Sequence, residues 1–169
     1  MQDAIALPLM SPFASSLVVV MKIDGDARLC VDYRKLNAVI RKDAHQLPRI
    51  NNLLDTLRGS KYFSILDLAS GYCQVEVKKH DRQKTAFVTK SGLNKSNVMP
   101  FGLVNAPATF LILMTIVFSG HLGKYCLAYI NGIIKFAKTL PGHNEQLRIM
   151  LKHLQDATLK LKPLKFVFA

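Results

Sequence analysis

Apolar and polar positions regroup along this chain in a way that divides it into short elements. LVVVMKI (17–23) and ARLCVDY (27–33), both carrying β-branched residues, flank Asp24-Gly25-Asp26 and predict two strands around a tight turn. Pro48 then opens RINNLLDTLRG, where Ile50, Leu53, Leu54 and Leu57 fall at helical spacing and Gly59 supplies a stop, so a short amphipathic helix is expected. From Lys61 the period changes. KYFSILDL, the alternating Gln74-Val75-Glu76-Val77-Lys78 and Thr85-Ala86-Phe87-Val88-Thr89 predict strands of a small antiparallel sheet.

Asn105-Ala106-Pro107 supplies cap and first-turn chemistry for a helix through about Ser119, ended by Gly120. AYINGIIKF (128–136) reads as a hairpin, two apolar runs joined at Asn131-Gly132, a pair that tolerates positive φ. The last helix places Leu147, Met150, Leu151, Leu154 and Ala157 at helical spacing, with Arg148, Lys152 and His153 assigned to its solvated side. No internal repeat or low-complexity linker interrupts the series, and one α+β unit is the economical reading.

Composition narrows the functions open to such a unit. Of 169 residues half are hydrophobic, enough to bury a core, and 23 Lys plus Arg against 11 Asp plus Glu give a formal charge of +12. That excess favours a polyanion such as nucleic acid, although an anionic membrane surface would satisfy charge alone. Phe110 to Phe118, the most apolar run, reaches about half of the roughly 20 residues a bilayer crossing needs and is expected to be buried helix. Cys30, Cys73 and Cys126 are far apart with no paired ligand spacing, so reduced thiols are expected rather than a zinc site. Met1-Gln2-Asp3 lacks the basic start of a secretory signal, which points to an intracellular protein, in cytoplasm or nucleus.

One acid stands out. Asp67 closes the apolar strand Phe63-Ser64-Ile65-Leu66, and the residues alone leave two readings: a cap on the Ala69-Ser70-Gly71 turn, or a functional carboxylate. The order of blocks resolves the family. SPFAS, VDYRKLN, LPRI, KYFSILDLASGY, KTAF, VMPFGLVNAPATF and Tyr129-Ile130-Asn131-Gly132 together resemble the fingers and palm of a reverse transcriptase from gypsy-like LTR retrotransposons, over about Ser11 to Phe168.

The resemblance implies a palm sheet on helices and templated addition of deoxynucleotides to a primer, with two Mg²⁺ ions held by three aspartates. It places the first aspartate at Asp67, with the backbone carbonyl of Leu68 as a further metal contact. Tyr72 falls at the steric gate, against the plainer reading of a core aromatic. Lys22 and Arg28 fall where finger cations meet the triphosphate, against the plainer reading of solvated charge. Phe101 and Gly102 would line the nucleotide pocket. The other two aspartates should sit at Asn131 and Gly132, and both are gone, so a polymerase by descent that is impaired or dead is expected, with Mg²⁺ binding weakened. Asn94-Lys95-Ser96-Asn97 also departs from the apolar segment the family places before VMPFG, which is expected to weaken packing there. The resemblance further implies that residues 1–169 hold fingers and palm only, ending before the thumb and ribonuclease H domain. Primer–template and deoxynucleotides are the implied partners, and no membrane is; a nucleic-acid-binding module, or pairing with an intact polymerase, are the alternatives.

Overall fold

The computed structural model describes residues 6–8, 11–21, 27–43, 55–129, 132–162 and 167–168. In chain order its strands are β1 (Ala6–Pro8), β2 (Ser16–Met21), β3 (Ala27–Asp32), β4 (Tyr62–Asp67), β5 (Phe87–Thr89), β6 (Gly92–Ser96), β7 (Cys126–Tyr129), β8 (Gly132–Ala137) and β9 (Val167–Phe168). Its longer helices are α1 (Arg34–Val39), α2 (Ala106–Val117) and α3 (Leu140–Asp156). Helices and antiparallel sheets are thus mixed, and the chain divides into two units: Met1–Asp43 with Tyr72–Ala106, and Ala44–Gly71 with Pro107–Ala169.

In the first unit, β2 and β3 pair along their full length from Ser16↔Asp32 to Met21↔Ala27, as the β-branched run Val18-Val19-Val20 favours. A second sheet runs β1-β6-β5, with β5 and β6 joined through residues 90 and 91. Its anchor is Tyr33, 2 % exposed, whose hydroxyl donates to the Thr85 carbonyl at 3.0 Å while burial pushes the phenol pKa up to about 12. The polar stretch 94–97 is absorbed rather than disruptive. Asn94 donates to Thr89 Oγ1 at 2.9 Å, the Ser96 N–H donates to Thr85 Oγ1 at 3.0 Å, and Asn97 accepts from Arg82 at 3.3 Å, so the expected loss of packing is met by hydrogen bonds.

The alternating stretch 74–78 is not a strand. Ser70 takes a φ of 51°, Gly71–Gln74 form a 3-10 turn, and only Glu76 bridges Val98. Tyr72 is buried, and two bonds, Val77 N–H to Asn97 C=O and Met99 N–H to Val75 C=O, tie the stretch to residues 97–99.

The second unit is built on the sheet β7-β8-β4-β9. Leu66 and Ile133 are fully buried in its centre, and Phe110 and Met114 of α2, Phe118 just after it, and Met150 and Leu154 of α3 are buried in the same unit. The run 110–118 is therefore a helix with one buried face, Ile116 remaining 68 % exposed on the other. His153, assigned to the solvated side of α3, is half-buried instead, its Nδ1 3.0 Å from the Val117 carbonyl; Leu151, assigned to the core face, is exposed. Of the helix expected after Pro48, residues 55–57 are helical and stop at Gly59 with φ +79°, while Ile50, Leu53 and Leu54 lie outside the described residues. Among the described residues no helix is long and apolar enough to cross a membrane.

Candidate active site

The β4–β8 ladder brings two of the expected site positions face to face. Six consecutive pairs run from Tyr62↔Ala137 to Asp67↔Gly132, so the last residue of β4 lies directly opposite the first of β8. On the other edge of β8, Gly132 pairs with Tyr129 of β7, which leaves residues 130 and 131 as the connection between the strands. Gly132 is therefore paired strand rather than an unpaired turn residue. It is not among the glycines with positive φ, so its conformational freedom goes unused. Asn131 itself lies outside the described residues.

A Cβ built on Gly132 would meet the Tyr129 carbonyl oxygen at 3.7 Å and that of Leu66 at 3.9 Å, ordinary van der Waals contacts. The position thus has room for a Cβ and carries none. Beside it, Leu68 bridges Leu161, and the two bonds of that bridge use the Ala69 N–H (2.9 Å to Lys160 C=O) and the Asp67 C=O (2.8 Å from Lys162 N–H). The Leu68 carbonyl is not spent in it. Among the described residues no three His, Cys, Asp or Glu side chains gather where they could hold a metal. A two-Mg²⁺ centre needs several anionic oxygens, and one aspartate facing a bare glycine does not fit it.

The remaining site positions fall in the first unit. Tyr72 is 7 % exposed, burial raises its phenol pKa, and its ring lies 5.3 Å from that of Phe101 at a tilt of 53°. Gly102 follows with φ +94°, and a Cβ there would meet the Val31 carbonyl at 3.5 Å and the Tyr33 ring at 3.6 Å. Arg28 stands opposite Val20 on the β2–β3 ladder, its side chain outside the described residues, as is all of Lys22.

Two residues escaped the sequence reading. Asn37 donates through Nδ2 to the Gly102 carbonyl at 2.7 Å and accepts at Oδ1 from the Val104 N–H at 2.9 Å, clamping the loop that carries Phe101 and Gly102. Lys135 is fully buried, its ammonium donating to the Phe136 carbonyl and to Gln146 Oε1 (2.6 Å), and burial lowers its pKa. The signal for Lys135 was available: it stands two residues after Ile133, on the same face of a strand.

Comparison with known proteins assigns the fold to a family. Residues 20–169 match the family model "Reverse transcriptase (RNA-dependent DNA polymerase)", and the chain belongs to that family. It is 38 % identical over 166 residues to the retrovirus-related Pol polyprotein from transposon opus of Drosophila melanogaster, covering 95 % of this chain and 17 % of the relative. To the Pol polyprotein from transposon gypsy of the same fly it is 35 % identical over 174 residues, covering 99 % of this chain and 17 % of the relative. The chain thus spans about one-sixth of the length of each. The foamy viral protease-reverse transcriptase solved in complex with an RNA/DNA hybrid shares the fold at a TM-score of 0.90 and 23 % identity, over 99 % of this chain and 22 % of that one. Reverse transcriptases are in general divalent-metal dependent.

Proposed function

We propose that this chain is a retrotransposon-derived reverse-transcriptase domain that keeps the palm fold and has lost polymerisation. The observation that carries this is the Asp67↔Gly132 pair: a strand-end carboxylate faces a glycine whose Cβ position is open. Asn131 contributes a neutral amide, so two of three formal negative charges are missing where metal and triphosphate must be held. Asp67 is the retained ligand and the Leu68 carbonyl its neighbour. Tyr72, Phe101 and Gly102 are the nucleotide-facing positions, with Lys22 and Arg28 the triphosphate contacts, and deoxynucleotide and primer–template are the substrates of the ancestral reaction. Residues 1–169 correspond to fingers and palm.

Primer extension on an RNA template with Mg²⁺ or Mn²⁺ tests this. The parent is expected to be inactive, and incorporation that disappears on Asp67→Ala would overturn the reading. In Asn131→Asp/Gly132→Asp the added Cβ at 132 meets only ordinary contacts, and activity in this variant but not in the parent would place the defect at the hairpin.

A second reading, binding of nucleic acid without catalysis, is favoured by the net charge of +12. It predicts primer–template affinity that falls steeply with salt as neutralised phosphates release their counterions, and absence of binding at low salt would remove it.

A further inference from the structure

The second unit holds a cavity of about 370 Å³ at the opposite end of the β4–β8 ladder from Asp67, where Tyr62 pairs with Ala137. Five residue steps separate the two ends, about 17 Å of strand. Arg58, Lys124 and Lys138 line this cavity, and no carboxylate does. None of the three is ion-paired among the described residues, where Arg34, His80, Arg82 and Lys84 each have an acid. Three like charges gathered around one concavity repel one another, an arrangement that an anion in the cavity would relieve.

The rest of the lining is matched to the same sign. Ser60 and Thr139 bring hydroxyls, and Gln146 has its amide oxygen taken by the buried ammonium of Lys135, which leaves the amide NH₂, a donor, for the cavity. Lys135 itself adds positive potential behind the floor. The volume is in the range of small-molecule sites, about 300–1,000 Å³, and exceeds what a single phosphate fills.

We infer that this cavity is a binding site for a phosphate-bearing anion, separate from the polymerase site, with Arg58, Lys124 and Lys138 as its contacts. The phosphate could come from a free polyphosphate or from the backbone of a nucleic-acid strand, and the two sources separate experimentally.

The test is calorimetric titration of the full chain at low salt with inorganic tripolyphosphate and, in parallel, with a thymidine oligonucleotide. Three proteins are compared: the parent, the cavity variant Arg58→Gln/Lys124→Gln/Lys138→Gln, and a control of equal charge loss, Lys78→Gln/Lys79→Gln/Lys90→Gln, exposed positions of the first unit. Saturable tripolyphosphate binding is expected in the parent and control, with a loss of about tenfold per contact removed in the cavity variant. If a strand is the source, the cavity variant also lowers the salt slope of oligonucleotide binding by roughly two units; an unchanged slope assigns the site to free polyphosphate. Absence of saturable tripolyphosphate binding in the parent, or equal losses in both triple variants, would overturn the proposal. All six positions are exposed, so folding should survive, and Lys138→Glu alone offers a second route to the same loss.

Discussion

Lys135→Met should stabilise this protein. The ammonium of Lys135 is fully buried and has two hydrogen bonds, to the Phe136 carbonyl and Gln146 Oε1, but no carboxylate partner. Taking a cation out of water without a counter-charge costs several kcal/mol, of which the two hydrogen bonds and the rings of Tyr125 and Phe136, 6.0 and 5.9 Å from the ammonium, return only part. Methionine keeps the length of the stem and removes the charge. It strands two acceptors, yet the Gln146 amide lines a cavity where water can reach it, so only the Phe136 carbonyl is left wanting, at about 1 kcal/mol. The net expectation is a gain of about 1–2 kcal/mol, or roughly 2–8 °C in Tm for a chain of this size. The sign with pH follows from the depressed folded pKa: between that value and the ordinary lysine value the unfolded chain binds the extra proton, so stability rises as pH rises through this window. Lys135→Met should abolish that rise. Thermal melts of both proteins from pH 6 to pH 10 read it directly. A variant less stable than the parent at neutral pH, or a stability difference that does not shrink toward high pH, would refute the account of Lys135 as an uncompensated buried charge.

Two further substitutions probe the loop at 101–104. Asn37→Ala removes the bond to the Gly102 carbonyl and leaves the Val104 N–H without its acceptor, so a destabilisation of about 1–3 kcal/mol is expected, read in urea melts, with faster amide exchange at Val104. Unchanged exchange there would show that Asn37 does not hold the loop. Gly102→Ala has room for its methyl group, 3.5 Å from the nearest atom, but must adopt φ +94°; a cost of about 1–2 kcal/mol is expected, and a neutral result in the same melts would show that the backbone relaxes.

How far the sequence carried the fold depended on whether periodicity was one-sided. The pairing of β2 with β3, the strand ending at Asp67, and the helix opened by Pro107 and closed before Gly120 were legible because each has β-branched content or a cap and a stop. Residues 74–78 misled because alternation records which side chains are half-buried, not whether a neighbouring strand exists; here a 3-10 turn and one bridge satisfy it. Asn37 was invisible for another reason. Its role depends on a partner 65 positions away, and an asparagine in RKLN carries no local mark of that. The site residues were legible only through block order, since nothing about Asp67 alone separated a turn cap from a ligand.

The hairpin is where structure altered the chemistry most. Gly132 is a paired strand residue without positive φ, and its lack of a side chain cannot be explained as a conformational requirement. What holds the ladder together lies elsewhere: six backbone pairs, and the buried side chains of Leu66, Ile133 and Phe136, none of which is an acid position. Fold and charge are therefore separable at this site. On the proposed reading, a glycine at 132 costs the site a ligand without costing the sheet a strand contact, so the backbone can persist through the change. This separation has a measurable corollary: Gly132→Asp should leave the melting temperature within a few degrees of the parent, because its Cβ meets the Tyr129 and Leu66 carbonyl oxygens at 3.7 and 3.9 Å, ordinary contacts. A large loss of stability would mean that the fold requires the glycine after all.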